Sequence, residues 1–110
     1  MSVTDSDTVD AIGVEKASGK VVLTVSDHLP WCDDNHLEAL QAKLNTYLAF
    51  IESGELLEVY PNARNRRVTI SVICNFEPDA PGRQFLLEAA ATISTAGFEF
   101  AWSQINVEAV

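Results

Sequence analysis

Several side chains that bind metals or act as nucleophiles lie within one short stretch of the sequence. His28, Cys32 and His36 supply two imidazoles and a thiol, and Asp33 and Asp34 add carboxylates. Imidazole, thiolate and carboxylate are the groups that zinc and related transition metals bind. One hypothesis is therefore a metal-binding protein or hydrolase that uses the loop carrying His28, Cys32 and His36, with zinc as its cofactor.

A structural interpretation of the same stretch competes with the metal hypothesis. The spacing is neither that of a zinc finger nor that of an H-E-x-x-H helix. Asn35 precedes an apolar-periodic segment and Glu38 follows three residues later, which is a capping-box pattern at a helix N-terminus. A helix N-terminus acidifies a thiol, but Asp33 and Asp34 beside Cys32 favour its neutral form. We therefore predict a capping loop with no catalytic residue.

A second candidate surface is acidic. Glu52, Glu55 and Glu58 are spaced by three residues at the end of the first long helical pattern. Negative charge at a helix C-terminus opposes the helix dipole, so these glutamates call for cations nearby or on a partner. Within the chain, the loop with Arg64, Arg66 and Arg67 could supply these cations. Outside it, a basic protein could supply them. The three glutamates are the candidate binding residues, and a solvated face of the helix is the alternative interpretation.

The overall charge and the termini narrow the classes of partner and compartment. Sixteen acidic against seven basic residues give the 110-residue chain a net charge of −9, which disfavours nucleic acid as a partner. No apolar run approaches the roughly 18–20 residues of a membrane span, so we expect no membrane partner. The N-terminus lacks the features of a secretory signal. We expect a cytoplasmic protein in which Cys32 and Cys74 are free thiols.

The elements that must position these residues follow from the apolar periodicity. We expect residues 1–8 to form a flexible tail and residues 9–106 a single domain. Gly54 ends the first helix, with a further helical turn expected before Pro61, and Gly97 ends the second. The predicted order is strand, strand, helix, strand, helix, strand, with bounds near 9–15, 20–26, 36–53, 67–76, 81–96 and 98–103.

The strand over 67–76 indicates how the layers are arranged. Its core parity is apolar, whereas its other face is mostly polar, which is typical of a sheet covered on one side. The core-parity residues are Val68, Ile70, Val72, Cys74 and Phe76. We predict an α+β, two-layer sandwich of order β-β-α-β-α-β: a four-stranded sheet with both helices on one face.

The uncovered face of that sheet offers a third hypothesis. Val22, Ile73 and Ala101 are apolar residues at otherwise polar parity. If they are neighbours, they form a small exposed patch, and such patches mark interfaces. A homodimer joined through this face is the corresponding prediction.

The sequence also resembles a family of small bacterial domains of unknown function. The resemblance rests on Ser26-Asp-His-Leu-Pro-Trp31, His36-Leu, the run from Tyr47 to Glu55 and Tyr60-Pro61, with support from Phe85-Leu-Leu-Glu and Ala96-Gly97. It covers about residues 8–105 and implies a bacterial protein, with no activity or site residue attached. Our leading hypothesis is a small acidic protein–protein interaction module without catalytic machinery.

Overall fold

The fold contains the six predicted elements in the predicted order. The computed structural model describes Val9 and residues 11–105 of the chain; the tail predicted at 1–8 lies outside them. One short helix is added at the place where a further turn was expected. The elements are β1 (Ala11–Val14), β2 (Val21–Asp27), α1 (His36–Glu52), α2 (Glu55–Val59), a 3-10 turn (Pro61–Ala63), β3 (Val68–Cys74), α3 (Ala80–Thr95) and β4 (Glu99–Gln104).

The four strands form one sheet whose spatial order follows the chain, β1-β2-β3-β4. β1 pairs with β2 as an antiparallel hairpin, and β2, β3 and β4 are parallel. Each parallel step is made by a helical crossover, and both crossovers step in the same direction across the sheet. With the usual right-handed sense, such crossovers lie on the same face. The α+β fold of a four-stranded sheet with its helices is confirmed.

The core lies between the helices and one face of the sheet. The register places Leu23 beside Ile70 and Ile70 beside Phe100, so the side chains of these three residues share a face. Residues of this parity in β2 and β3 are buried, whereas those of the opposite parity are half-buried or exposed. The largest fully buried apolar residues that join them from the helices are Leu40, Tyr47, Leu86 and Ile93.

The start of α1 differs from the predicted capping box. Asn35 already has near-helical backbone angles, φ −95° and ψ −1°, and its side chain makes no capping hydrogen bond. Asp33 turns the chain instead: its Oδ1 accepts from the Asn35 amide at 2.8 Å, and its carbonyl accepts from the His36 amide. The other end of α1 is as expected, because Gly54 has a φ of +88°.

Two aromatic residues are more exposed than the strand pattern predicted. β3 ends at Cys74, and the Asn75 amide donates to the Asp27 carbonyl as the chain leaves the sheet. Phe76 therefore lies outside the core and is 47% exposed, so its predicted place in the core was wrong. Trp102 has core parity but lies in the edge strand β4, where 37% of its surface is exposed.

The uncovered face carries no continuous apolar patch among the described residues. The register places Val22 in the row of Thr69 and Glu99, and Ile73 in the row of Ser26 and Ser103. Ala101 lies in a third row, beside Ser71. The three apolar residues predicted to meet therefore lie in three different rows, each beside at least one hydroxyl side chain. Within the same described ranges, no helix has the length and apolarity that crossing a bilayer requires.

Candidate functional site

Reactive side chains meet where the parallel strands end. Asp27 is the last residue of β2 and Cys74 the last residue of β3, and the register makes them direct neighbours. In sheets with parallel strands, ligand sites are found beyond these carboxyl ends. The loop over residues 28–35 follows β2 directly and therefore starts at the same end of the sheet. This loop contains most of the residues of the metal hypothesis.

Asp27 and His36 form a fully buried pair. His36 Nε2 lies 2.6 Å from Asp27 Oδ2, and neither side chain has exposed surface. His36 Nδ1 lies 3.2 Å from the carbonyl oxygen of Pro30. Because a carbonyl only accepts, Nδ1 carries a hydrogen, and Nε2 and the carboxyl group share one proton. Both ring nitrogens are therefore occupied by groups of the same chain.

Trp31 packs against the imidazole of this pair. Its ring centroid lies 4.1 Å from that of His36 with an interplanar angle of 38°, and its Nε1 donates to the Phe76 carbonyl at 3.0 Å. The indole also lies against Gly82 in the first turn of α3, where a Cβ would come within 2.5 Å of it. The loop is thus fixed to α1, to the end of β3 and to α3 by one side chain.

Cys74 is unsuited to nucleophilic chemistry. Burial raises the pKa of its thiol to about 12, and the charge of Asp27 acts in the same direction. The thiol therefore stays protonated at neutral pH, and a protonated thiol is a poor nucleophile. Cys32 is exposed in the loop, and no disulfide joins the two cysteines.

The Asp27–His36 pair stabilises the fold and presents no reactive atom to solvent. It joins the end of β2 to the first residue of α1, across nine positions of sequence. The pair was not predicted from the sequence, although two features of the sequence indicate it. Asp27 has the inward parity of Val21, Leu23 and Val25, and His36 precedes the buried Leu40 by one helical turn.

The structure separates the three residues of the metal hypothesis by environment. His28 and Cys32 are exposed, whereas His36 is buried and bonded through both ring nitrogens. Across the described ranges, no group of three or more His, Cys, Asp or Glu side chains is placed to hold one metal ion. The zinc site stays a prediction, which elemental analysis of chelator-free protein and of the His28→Ala variant tests.

The three glutamates proposed to bind a partner lie on one exposed segment. Glu52 ends α1, and Glu55 and Glu58 lie in α2. All three side chains are exposed, and among the residues that the structure describes no basic side chain forms an ion pair with them. Their charge is therefore left to solvent or to a partner.

The neighbouring arginines bond elsewhere. Arg66 donates to the carbonyls of Asn62 and Gly19 at 2.8 and 2.9 Å. Arg67 reaches Glu99 at 3.5 Å. The suggestion that the arginine loop neutralises the glutamates was thus wrong for these two side chains, because their partners are Asn62 in the same loop, Gly19 in the turn between β1 and β2, and Glu99 on β4.

Apolar side chains accompany the glutamates. Leu57 and Val59 of α2 are 43% and 62% exposed. Val59 and Glu55 also line a groove whose other walls come from β1 and α1, including Ile12 and Phe50. We call Glu52, Glu55, Leu57, Glu58 and Val59 the acidic ridge.

Comparison with known proteins agrees with the resemblance seen in the sequence. A family model described as a family of unknown function, DUF6572, matches residues 1–106 of the chain. No curated protein and no solved structure matches it.

Proposed function

We propose that this chain, which belongs to the DUF6572 family, is a non-enzymatic protein–protein interaction module that binds a basic partner through its acidic ridge. The observation that carries the proposal is the exposure of Glu52, Glu55 and Glu58, none of which forms an ion pair with a described basic side chain. The proposal places the module in the bacterial cytoplasm, where the exposed thiol of Cys32 stays reduced.

Electrostatics favours a basic partner at this segment. Glu52 lies at the end of α1, where the partial negative charge of the last carbonyls adds to that of the side chain. Glu55 and Glu58 follow within two turns, in a chain whose net charge is −9. A cationic surface that approaches the ridge relieves this repulsion, and long-range attraction raises the association rate at low ionic strength.

The apolar members of the ridge add a contribution that salt does not screen. Leu57 and Val59 alternate with the glutamates along α2, and the groove beside Val59 has apolar walls. Burial of apolar surface stabilises a complex by roughly 25 cal/mol per Å² before the entropic costs of association. An amphipathic segment with basic residues flanking apolar ones matches this surface.

The proposal that the chain has no catalytic machinery rests on the burial of Asp27 and His36. Among the described residues, Asp27 and His36 have the groups of an acid–base dyad, but both side chains are fully buried, and Trp31 and Pro30 contact the imidazole. A general acid or base has to come within hydrogen-bond reach of its substrate. The arrangement therefore supports a structural role for the pair and leaves binding to the surface.

A defined probe tests the proposal. The probe is a synthetic helical peptide with lysines on one face and leucines at three- and four-residue spacing, and its binding is followed by fluorescence anisotropy at low salt. The test variant carries Glu52→Lys, Glu55→Lys and Glu58→Lys. The control carries Asp34→Lys, Glu77→Lys and Glu88→Lys, which reverses three exposed acidic residues outside the ridge. Both triple variants change the net charge from −9 to −3, because each reversal adds two charges.

We expect the ridge variant to bind the peptide at least about tenfold more weakly than the control does, because only the ridge variant loses local attraction. Binding to the unchanged chain is expected to weaken with added salt. Equal losses in the two triple variants would show that net charge alone attracts the peptide and would refute the acidic ridge as a binding site.

A further inference from the structure

The outer edge of β4 has unpaired backbone groups. The Ile105 amide donates to the Cys74 carbonyl, so Ile105 directs its backbone toward β3. Alternate residues of a strand direct their N–H and C=O groups to the same side. Ser103 and Ala101 therefore also face β3, whereas Phe100, Trp102 and Gln104 direct theirs outward. No strand within the described part of the chain pairs with this edge.

Natural sheets protect such edges, and β4 lacks the usual protection. Lysine, proline and bulges are the common devices against edge-to-edge pairing. β4 reads Glu-Phe-Ala-Trp-Ser-Gln, and its register with β3 runs without interruption. Its only charged residue, Glu99, already bonds Lys20 at 2.7 Å. In a chain of net charge −9, this edge is locally neutral.

Exposed apolar side chains lie at the same edge and just beyond the end of β3. Trp102 lies within β4, and Ile105 follows it directly. Phe76 lies two residues beyond Cys74, to which Ile105 bonds. Among the residues that the structure describes, these three are half of the exposed large hydrophobic ones, the others being Leu57, Val59 and Leu87. Trp102 has the parity of the helix-covered face and Ile105 that of the uncovered face, so the open edge carries exposed apolar surface on both faces, which is typical of an interface.

We propose that two copies of the chain associate by pairing β4 with β4 in antiparallel orientation, forming one eight-stranded sheet from two four-stranded ones. A two-fold axis at Trp102 gives a self-complementary register. Trp102 then faces Trp102 of the second copy, and Phe100 faces Gln104 of the second copy, in hydrogen-bonded pairs. All three outward-facing residues are paired, as the isologous symmetry of a homodimer requires.

Charge favours a second copy in this register. Glu99 lies opposite Ile105 of the second copy, so no acidic residues face each other across the axis. The two indoles meet on the helix-covered face and bury each other, and aromatic cross-strand pairs are among the favourable ones. This contact is remote from the acidic ridge, because the groove of the ridge includes Ile12 of β1, at the opposite edge of the sheet.

Light scattering of the full chain over a range of concentrations tests this inference. We expect a reversible transition from 12.0 kDa to twice that mass. Because each copy is strongly acidic, added salt is expected to strengthen the dimer, the reverse of its effect on binding at the acidic ridge. A failure of one proposal is thereby distinguishable from a failure of the other.

Two variants locate the interface. Trp102→Lys places two ammonium groups together at the axis, and Gln104→Pro removes only an outward-directed N–H, which an edge strand tolerates. We expect each variant to raise the dimer dissociation constant more than about tenfold. Leu57→Lys, an equally drastic change at an exposed apolar residue of α2, is expected to leave the dimer intact.

Hydrogen exchange provides a readout that does not depend on substitution. The amides of Trp102 and Gln104 are expected to exchange more slowly as the concentration rises, whereas the amide of Ser103 is expected to stay unchanged because it already faces β3. A mass of 12.0 kDa at every concentration, an assembly larger than a dimer, or a dimer insensitive to both edge variants would overturn the proposal.

Discussion

The indole of Trp31 occupies the space that a side chain at position 82 would need. A Cβ built on Gly82 would lie 2.5 Å from Cε3 of the indole, closer than real Cβ contacts. The same glycine donates its amide to Asp79 Oδ1 at 2.8 Å, as part of the N-terminal cap of α3. The loop after β2 and the start of α3 are therefore fitted to each other at a single position.

Gly82→Ala is expected to destabilise the protein. Overpacking of a tight site costs about 1–3 kcal/mol, and here the displaced group is a ring held by its hydrogen bond to Phe76. Urea unfolding measures the change. Gly13→Ala is the control, because a Cβ at Gly13 meets nothing within 4 Å. A Gly82→Ala variant as stable as the Gly13→Ala variant would contradict the close packing of Trp31.

Substitutions of Asp27 are expected to separate loss of charge from loss of hydrogen bonding. Asp27→Ala leaves His36 Nε2 without a buried partner and is expected to cost about 3–5 kcal/mol. In Asp27→Asn, the amide group donates to Nε2 of a neutral imidazole, and Oδ1 still accepts from the Leu29 amide. We expect that variant to lose only about 1 kcal/mol.

Nitrogen-15 NMR of His36 checks the same point independently of stability. In the Asp27→Asn variant, the ring is expected to be neutral and protonated at Nδ1, bonded to Pro30. If the alanine and asparagine variants lost equal stability, the second hydrogen bond of the ring would contribute nothing measurable.

The buried thiol of Cys74 predicts a loss of stability in alkali. Its pKa is raised to about 12 by burial and by the charge of Asp27, whereas the same thiol in the unfolded chain has its ordinary pKa of 9.0. The contribution of the protonated thiol to the free energy of unfolding is therefore complete below about pH 9 and is lost as the pH rises towards 12. Urea unfolding of Cys74→Ala across this range is expected to show a shallower alkaline decline than that of the unchanged chain.

Alkylation distinguishes the two cysteines directly. At pH 8, iodoacetamide is expected to modify the exposed Cys32 in the folded protein and to leave Cys74 unmodified until urea is added. Fast modification of Cys74 without denaturant would refute its burial at the sheet edge.

The carboxyl group of Glu99 is expected to report on its contact with Lys20, which reaches across β3 from the residue before β2 to the first residue of β4. A hydrogen bond from Lys20 lowers the pKa of Glu99, and bonds from Thr69 and Arg67 act in the same direction. Lys20→Met is expected to move that pKa back towards its ordinary value, as measured by carbon-13 NMR titration. An unchanged titration would mean that Lys20 does not hold Glu99 in solution.

The secondary-structure elements could be predicted from the sequence because their apolar residues recur with the period of a strand or with that of a helix. The apolar spacing of two in β3 and of three and four in α1 decides which face is buried, without knowledge of the partner. The strand order was not readable, because periodicity specifies a face and carries no information on which strand lies alongside. Phe76 continues the alternation of β3 but lies beyond the last residue that pairs with a neighbouring strand. The alternation alone does not predict where that pairing ends.

The candidate site could be predicted only in part. Its loop was identified from its residue types, and His36 was included for its imidazole. Its contact with Asp27 depends on how the chain returns over the sheet edge, and Trp31 and Gly82 determine that path from positions 51 residues apart. Such a contact is a property of the packed chain, whereas the exposure of Glu52, Glu55 and Glu58 follows from the polar side of a helical pattern.

The sequential order of the sheet has a consequence for synthesis. Because β1, β2, β3 and β4 are neighbours in the order in which they leave the ribosome, each strand finds its pairing edge already made. None of the four described strands has to insert between two others, so the sheet can form stepwise during synthesis without waiting for a strand that is made later. Of the four described strands, β4 is synthesised last, and it forms one of the two edges of the finished sheet, so the strand that completes the sheet is also one to which a further strand can still be added.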